Sequence, residues 1–174
     1  YFTNGNTVEG IKAQVDDIRA KAAANGHSVK VGVNAFIIAR DTEAEAKAVL
    51  QEIIDKADPE AVNAFGDAVK QAGKASPEGE GNWAKSSFED LVQYNDGFKT
   101  NLIGTPRQVA ERIVALKAVG VDLVLTGFLT GIQGFADFWQ LNEHHITQGF
   151  LRVIGNAYGN AAISFQARPL VAGG

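Results

Sequence analysis

Residues 101–129 read NLIGTPRQVAERIVALKAVGVDLVLTGFL and contain the start of a helix, its end and a following strand. Thr105 can accept hydrogen bonds from the free backbone N–H groups of a first turn, Pro106 suits the first helical position, and Gln108 stands where a capping box needs it. Apolar residues then recur at helical spacing up to Gly120: Val109, Ile113, Leu116 and Val119. This pattern predicts an amphipathic helix that ends at a glycine.

Short apolar runs flank this helix. Residues 102–104 form one before it, and residues 121–125 form another after it, interrupted only by Asp122 before Thr126. A run of Val and Leu of this kind is typical of a parallel strand that is buried on both faces. The order strand, helix, strand therefore predicts a βαβ unit with a right-handed crossover.

Outward from this segment, residues 29–40 read VKVGVNAFIIAR, which predicts a strand. Helical periodicity precedes it at residues 8–22 and follows it at 43–56, so strands and helices alternate and the chain is of the α/β class. Asn34 lies inside the strand, where an amide needs hydrogen-bond partners. It is interpreted either as a satisfied structural amide or as a residue of a binding pocket.

The ordered positions around the 101–129 helix resemble the bacterial luciferase-like flavin monooxygenases. They are Leu102, Ile103, Gly104, Pro106, Val109, Ala110, Arg112, Ile113, Gly120, Val121, Asp122 and Leu125. With the opening YFTNG at residues 1–5, the chain is most similar to the dimethylsulfone branch of that superfamily. The resemblance implies a (β/α)₈ TIM barrel, of which residues 1–129 are the second half with an insertion at 58–99. Such barrels run to about 250 residues, and the chain contains no Met, so we expect a piece of a longer protein.

Four residues are implied to lie at the barrel's active-site end. Asn34, Phe36 and Phe128 are the candidate catalytic residues, while Asn4 and Asn34 are the candidate cofactor-binding residues. The alkanesulfonate relatives carry Arg and His at the positions of Asn34 and Phe36, which suit a sulfonate anion. Asn and Phe suit a neutral substrate such as a sulfone. With no Cys and three His in the chain, no metal site is expected.

The resemblance also implies the reaction. A separate flavin reductase would supply reduced FMN, and O₂ would then oxidise a small organosulfur compound, dimethylsulfone, to methanesulfinate and formaldehyde. The alternative is a non-catalytic or degenerate flavin-binding half-barrel, which would expose strand edges and associate with itself or a partner. A sister enzyme that uses a deazaflavin is a third interpretation.

The insertion and the tail are less regular. The sequence of the insertion predicts a helix from Pro59 and a capping box at Ser86-x-x-Glu89. The insertion is interpreted as a lid, an oligomer contact or a surface elaboration. After residue 129 the similarity ends, and Thr130 stands where the relatives have His. His144 and His145 faintly resemble a motif from the start of the same superfamily. Residues 150–154 and 161–165 are interpreted as short strands or as one helix.

Composition bounds the remaining possibilities. The 174 residues are 45% apolar and 21% charged, with a formal charge of −4, as in a globular domain. This net charge gives no basic footprint that would favour nucleic acid, and no apolar run reaches the length of a membrane span. We therefore expect neither nucleic acid nor a membrane as a partner. A cytoplasmic location is the default expectation, and the exposed strand edges of an incomplete barrel, with the insertion as a contact, indicate a homo-oligomer.

Overall fold

The computed structural model describes residues 1–75, 86–95, 97–128, 151–155 and 160–165. Helices connect the strands of a largely parallel sheet, which confirms the α/β class. The strands are β1 (Phe2–Thr3), β2 (Gly32–Ala39), β3 (Ile103–Gly104), β4 (Leu123–Phe128), β5 (Leu151–Gly155) and β6 (Asn160–Phe165). The helices are α1 (Val8–Ala24), α2 (Glu43–Asp55), α3 (Pro59–Ala75), α4 (Phe88–Asn95) and α5 (Pro106–Ala118), with a 3₁₀ helix at Phe98–Thr100.

The strands form one sheet in the order β1-β2-β4-β6-β5. The first three are parallel, and Val33 of β2 lies between Thr3 of β1 and Val124 of β4. The short β3 pairs with the carboxyl end of β2, where Ile38 faces Ile103. The parallel core of the sheet is thus centred on β2.

The predicted βαβ unit forms from β3, α5 and β4, and its two strands are separated in the sheet by β2. Both β3 and β4 pair with β2, and not with one another. The backbone N–H of Ile38 donates to Leu102 O on the same side of β2 where Gly32 N–H donates to Tyr1 O. Strand β3 therefore continues the β1 edge of β2, and β4 occupies the opposite edge.

The last two strands depart from an all-parallel sheet. Strand β6 runs antiparallel to β4, from Leu123 opposite Ser164 to Gly127 opposite Asn160, and β5 runs antiparallel to β6. The short-strand interpretation of this tail is therefore confirmed. Thr130, His144 and His145 lie outside the described residues.

The main core lies between the sheet and the helices α1 and α5. Val33, Ala35 and Ile37 of β2 share one face, and every second residue of β4 lies on that face with them. The core cluster comprises Ile11, Val15, Val31, Val33, Ala35, Ile37, Leu102, Val109, Ile113, Leu116, Val121, Val124 and Phe128. The prediction that β4 is buried on both faces is wrong, because Leu125 on its other face is 44% exposed.

Local sequence signals explain where the helices begin and end. Helix α5 has the predicted capping box, in which Thr105 Oγ1 accepts from Gln108 N and Gln108 Oε1 accepts from Thr105 N. It ends before Gly120, whose φ of +99° a glycine adopts without strain. The cap of α4 falls one residue later than predicted, since Ser87 Oγ, not Ser86, accepts from Asp90 N at 3.2 Å.

Among the helices in the described ranges, none combines the length and the apolar character that crossing a bilayer requires.

Candidate functional site

Asn34 lies on the face of β2 opposite the main core. Side chains alternate between the faces of a strand, so Asn34 shares its face with Phe36 and Ile38. Asn34 is the third residue of β2 and so lies inside the strand, nearer to its amino end. However, β1 ends at Thr3, which pairs with Val33, so Asn34 borders the carboxyl end of β1.

A hydrogen bond joins Asn34 to the chain that leaves β1. Asn34 Oδ1 accepts from the backbone N–H of Gly5 at 2.8 Å. Gly5 is buried, and Asn4 beside it is exposed. The structure therefore brings the two predicted cofactor-binding residues, Asn4 and Asn34, to the same place.

Gly97 fills the edge of β2 between β1 and β3. Its φ is +78°, and a Cβ there would lie 2.9 Å from Ala35 Cα. A Cβ at Gly5 would in turn lie 3.0 Å from Gly97 O and 3.2 Å from Asn34 O. Three backbone segments thus approach at distances that require glycine at both positions.

Phe36 packs against the 3₁₀ helix that follows Gly97. The rings of Phe36 and Phe98 are 4.7 Å apart between centroids, with an interplanar angle of 49°. Phe98 is buried in a second apolar cluster with Ile38, Ala46 and Ile103, to which Phe36 adds from its margin. Phe36 therefore lies on the Asn34 face but is partly committed to packing against α2 and the 3₁₀ helix.

The expectation that Phe128 faces the same pocket is wrong. Phe128 pairs with Ile37, is 8% exposed and belongs to the main core with α1 and α5. The residues of β4 beside the site are instead Leu125, opposite Asn34, and Gly127, opposite Phe36. Two-residue alternation from Val124 already puts Phe128 on the helix side, and that signal was available in the sequence.

Gly5 and Gly97 are the residues of the site that the sequence patterns did not single out. Each follows a polar residue with turn preference in the sequence, which is a signal for a turn but not for a site. Their importance comes from the close approach of backbones from residues 5, 35 and 97, which no local pattern encodes.

The insertion reaches the site through the 3₁₀ helix. Lys99 forms an ion pair with Asp90 of α4, with the two side chains 27% and 33% exposed. The hydrogen bond from Lys99, the main cause, holds the pKa of Asp90 below its ordinary value. Helix α4 is therefore tied to the segment that carries Phe98 and, through that ring, to Phe36.

A separate groove lies between α2 and the insertion. Helices α2, α3 and α4 enclose a volume of about 630 Å³, lined by Val49, Glu52, Ile53, Lys56, Ala57, Ala61, Val62, Phe65, Leu91 and Val92. Glu52 and Lys56 pair at its rim at 2.5 Å. Because none of Asn4, Asn34 and Phe36 lines it, the groove is distinct from the candidate site.

The side chains of the site are neutral. Asn4, Asn34 and Phe36 do not titrate, so these residues can bind and orient a molecule but cannot transfer a proton. Next to them, Gly127 adds no side chain and Leu125 exposes an apolar one. A flat, largely apolar ring with polar edges fits such a face. In the part of the chain that is described, no three His, Asp, Glu or Cys side chains group as metal ligands would.

Comparison with known proteins adds sequence relatives to this geometry. Residues 1–123 match the family model described as luciferase-like monooxygenase. The chain is 89% identical over 129 residues to an FMNH₂-dependent dimethylsulfone monooxygenase of Pseudomonas fluorescens and 86% identical to one of Pseudomonas putida. These matches cover 74% of the chain but 35% and 36% of the relatives. The chain therefore spans about a third of the length of these curated relatives.

A more distant sequence relative and two solved structures also match. A sulfoquinovose monooxygenase of Novosphingobium aromaticivorans is 25% identical over 139 residues, which cover 74% of the chain and 38% of that protein. A riboflavin lyase crystallised with modified FMN and riboflavin superposes with a TM-score of 0.62 at 22% identity, covering 84% of the chain and 38% of its own. A long-chain alkane monooxygenase gives 0.55 at 23% identity, covering 84% and 36%.

Proposed function

Because this chain belongs to the luciferase-like monooxygenase family, we propose that the protein is a two-component, FMNH₂-dependent monooxygenase that oxidises dimethylsulfone. The observation that carries the proposal is the 89% identity to a dimethylsulfone monooxygenase over 129 residues. The fold is that of the TIM-barrel flavin monooxygenases, and the parallel strands and helices of this chain correspond to part of it. The neutral side chains at Asn34 and Phe36 suit a neutral sulfone.

The proposed reaction balances with one O₂ and one reduced flavin. Dimethylsulfone, O₂ and FMNH₂ give methanesulfinate, formaldehyde, water and FMN, and one C–S bond is broken. Reduced FMN supplies the two electrons. The residues of this chain would bind and orient the flavin and the sulfone. Asn4 and the Asn34 amide would contact their polar atoms, while Phe36 and Leu125 bound the site with apolar surface that excludes water.

Partners and location follow from the same proposal. A separate flavin reductase supplies reduced FMN, because an enzyme that depends on FMNH₂, as the two Pseudomonas relatives do, receives its flavin already reduced. The protein acts in the cytoplasm, where reduced nicotinamide for that reductase is available. We also propose a homo-oligomer, with the insertion as one of its contacts.

The test is a coupled assay. The purified protein is mixed with FMN, a flavin reductase from another source, NADH, O₂ and dimethylsulfone, and formaldehyde is measured. We expect formaldehyde in proportion to the protein, and none from reductase alone. Reduced flavin that is consumed without formaldehyde above the reductase background would contradict the proposal.

One observation favours a second candidate, a flavin-binding half-barrel without turnover. Strand β6 pairs antiparallel with β4 along Leu123–Gly127, which is where an all-parallel barrel would continue with another parallel strand. Under this candidate the protein binds FMN, measured by quenching of flavin fluorescence, but releases no formaldehyde. Deletion of residues 130–174 would then free the β4 edge and increase self-association, measured by light scattering.

A further inference from the structure

The hydrogen bond between Gly5 and Asn34 distinguishes the oxygen of the Asn34 side-chain amide from its nitrogen. A backbone N–H can only donate, so the side-chain atom 2.8 Å from Gly5 N must be the oxygen, Oδ1. The nitrogen, Nδ2, is on the other branch of the planar amide and faces away from Gly5. Asn34 therefore offers two N–H donors, and its oxygen is already used.

No described residue accepts a hydrogen bond from Nδ2. The described residues also contain no side-chain nitrogen or oxygen that is buried without a partner. Nδ2 is therefore open to solvent on the half-buried Asn34 side chain. A donor in this position can be satisfied by water or by a bound molecule.

The amide cannot easily turn over, because its partner is held in place. Gly5 is confined by Gly97 O and by Asn34 O, each within 3.2 Å of where a Gly5 Cβ would be. Gly97 itself packs against the backbone of Ala35. The donor is thus oriented before any ligand binds, which reduces the ordering cost of binding.

The surroundings of the donor select the kind of acceptor. Leu125 opposite Asn34 and Phe36 along the strand are apolar, and Asn4 is neutral. An anion would have no compensating positive charge from these residues, and its desolvation would be unfavourable. A neutral molecule with a strong acceptor oxygen can accept from Nδ2–H and needs no positive charge beside it.

We propose that Asn34 determines specificity through a fixed Nδ2–H donor that binds a neutral acceptor oxygen of the sulfonyl class. This inference rests on the proposed function for the identity of that class. It assigns the oxygen and nitrogen of one amide to different tasks: Oδ1 positions the loop at Gly5, and Nδ2 contacts the substrate.

The test separates these two tasks with one isosteric variant. Asn34→Asp keeps an oxygen for Gly5 N–H but removes both donors, and it is studied at pH 8 so that the carboxyl is ionised. Asn34→Ala removes both functions. Asn63→Asp, on the exposed surface of α3, is the matched control. Two quantities are measured on the purified protein without turnover: dimethylsulfone affinity by ligand-observed NMR, and hydrogen exchange of the Gly5 amide.

We expect Asn34→Asp to retain slow exchange at Gly5 and to bind dimethylsulfone about tenfold more weakly or worse. Asn34→Ala should lose both the protection and the affinity, and Asn63→Asp should change neither. Dimethylsulfone affinity of Asn34→Asp within twofold of the wild type would overturn the proposal, as would fast exchange at Gly5 in that variant or failure of the wild type to bind the sulfone.

These outcomes are separable from those of the formaldehyde assay. If the Asn34→Asp pattern holds but the wild type releases no formaldehyde, the specificity role stands and the oxidation proposal fails. If formaldehyde is released but Asn34→Asp binds the sulfone normally, the oxidation proposal stands and the role of Asn34 is only structural.

Discussion

The two ends of the parallel sheet are stabilised in different ways. At the amino end of β2, Asp122 Oδ2 accepts from Val31 N at 2.9 Å and from Arg19 Nη2 at 3.0 Å, and Arg19 also donates to Gly120 O. Every one of these groups finds its partner within the chain. Further along β2, Nδ2 of Asn34 is an N–H donor without an acceptor among the described residues, and Gly97 packs against the strand at Ala35.

This difference separates stability from binding within one sheet. The amino end uses its polar groups to join α1 to the strands, as is typical of the face of a barrel that serves stability. Beside the carboxyl end of β1, the polar side chains of Asn4 and Asn34 face the candidate site, and the apolar cluster around Phe98 provides the packing. Variants at the amino end should therefore change only the free energy of unfolding, while variants near Asn34 should also change ligand affinity.

The largest effect is expected at Gly97. Gly97→Ala adds a Cβ at 2.9 Å from Ala35 Cα with φ at +78°, and backbone atoms cannot move aside as a side chain can. The penalty combines the left-handed conformation with overpacking and should reach about 3 kcal/mol. It is measured by urea unfolding, with dimethylsulfone binding as the second readout.

Gly26 provides the matched control for that variant. Its φ is +73°, but a Cβ there would have nothing within 4 Å. Gly26→Ala should therefore cost only about 1 kcal/mol and leave ligand binding unchanged. Equal losses of stability in the two variants would mean that the close approach to Ala35 does not matter.

The next largest effect is expected for variants of Asp122 at the amino end of β2. Asp122→Ala leaves the N–H of the fully buried Val31 without its acceptor, at a cost of about 1–3 kcal/mol. Asp122→Asn keeps an oxygen acceptor and loses only a partly exposed ion pair, worth about 0.2–1 kcal/mol. Urea unfolding should rank the variants in that order, with sulfone affinity unchanged in both. A loss of affinity in either would contradict the division between the two ends.

The sequence predicted local features well because their signals are local. The capping box of Thr105 and Gln108 formed as predicted, since its partners are three residues apart. The pairing of β3 with β2 and the antiparallel β6 were not predicted, because ladder bonds join backbone groups that every residue carries. At the site, the predicted residues Asn4, Asn34 and Phe36 lie near one another. Predicting that Phe128 faces the helices required following the side-chain alternation along β4. Predicting the role of Gly97 required knowing that the backbone of Ala35 lies against it.

The smallest effect concerns the ion pair that joins α4 to the 3₁₀ helix beside the site. The pKa of Asp90 is held below its ordinary value near 3.8, chiefly by the hydrogen bond from Lys99. A carboxyl whose pKa is lowered on folding stabilises the protein above the unfolded pKa, and this stabilisation is lost as the pH falls through the folded pKa. Because both side chains are about a third exposed, the contribution should be on the order of 0.5 kcal/mol.

Asp90→Asn should therefore be less stable than the wild type by a constant amount from pH 7 down to about pH 5. The difference should shrink below pH 4 as Asp90 protonates. Asp16→Asn, which breaks the more exposed Lys12–Asp16 pair on α1, is the control and should change stability by less, because solvent screens that pair more strongly. A stability difference for Asp90→Asn that persists unchanged to pH 3 would mean that the carboxylate charge is not what links α4 to Lys99, and that the insertion is held near the site by its apolar contacts alone.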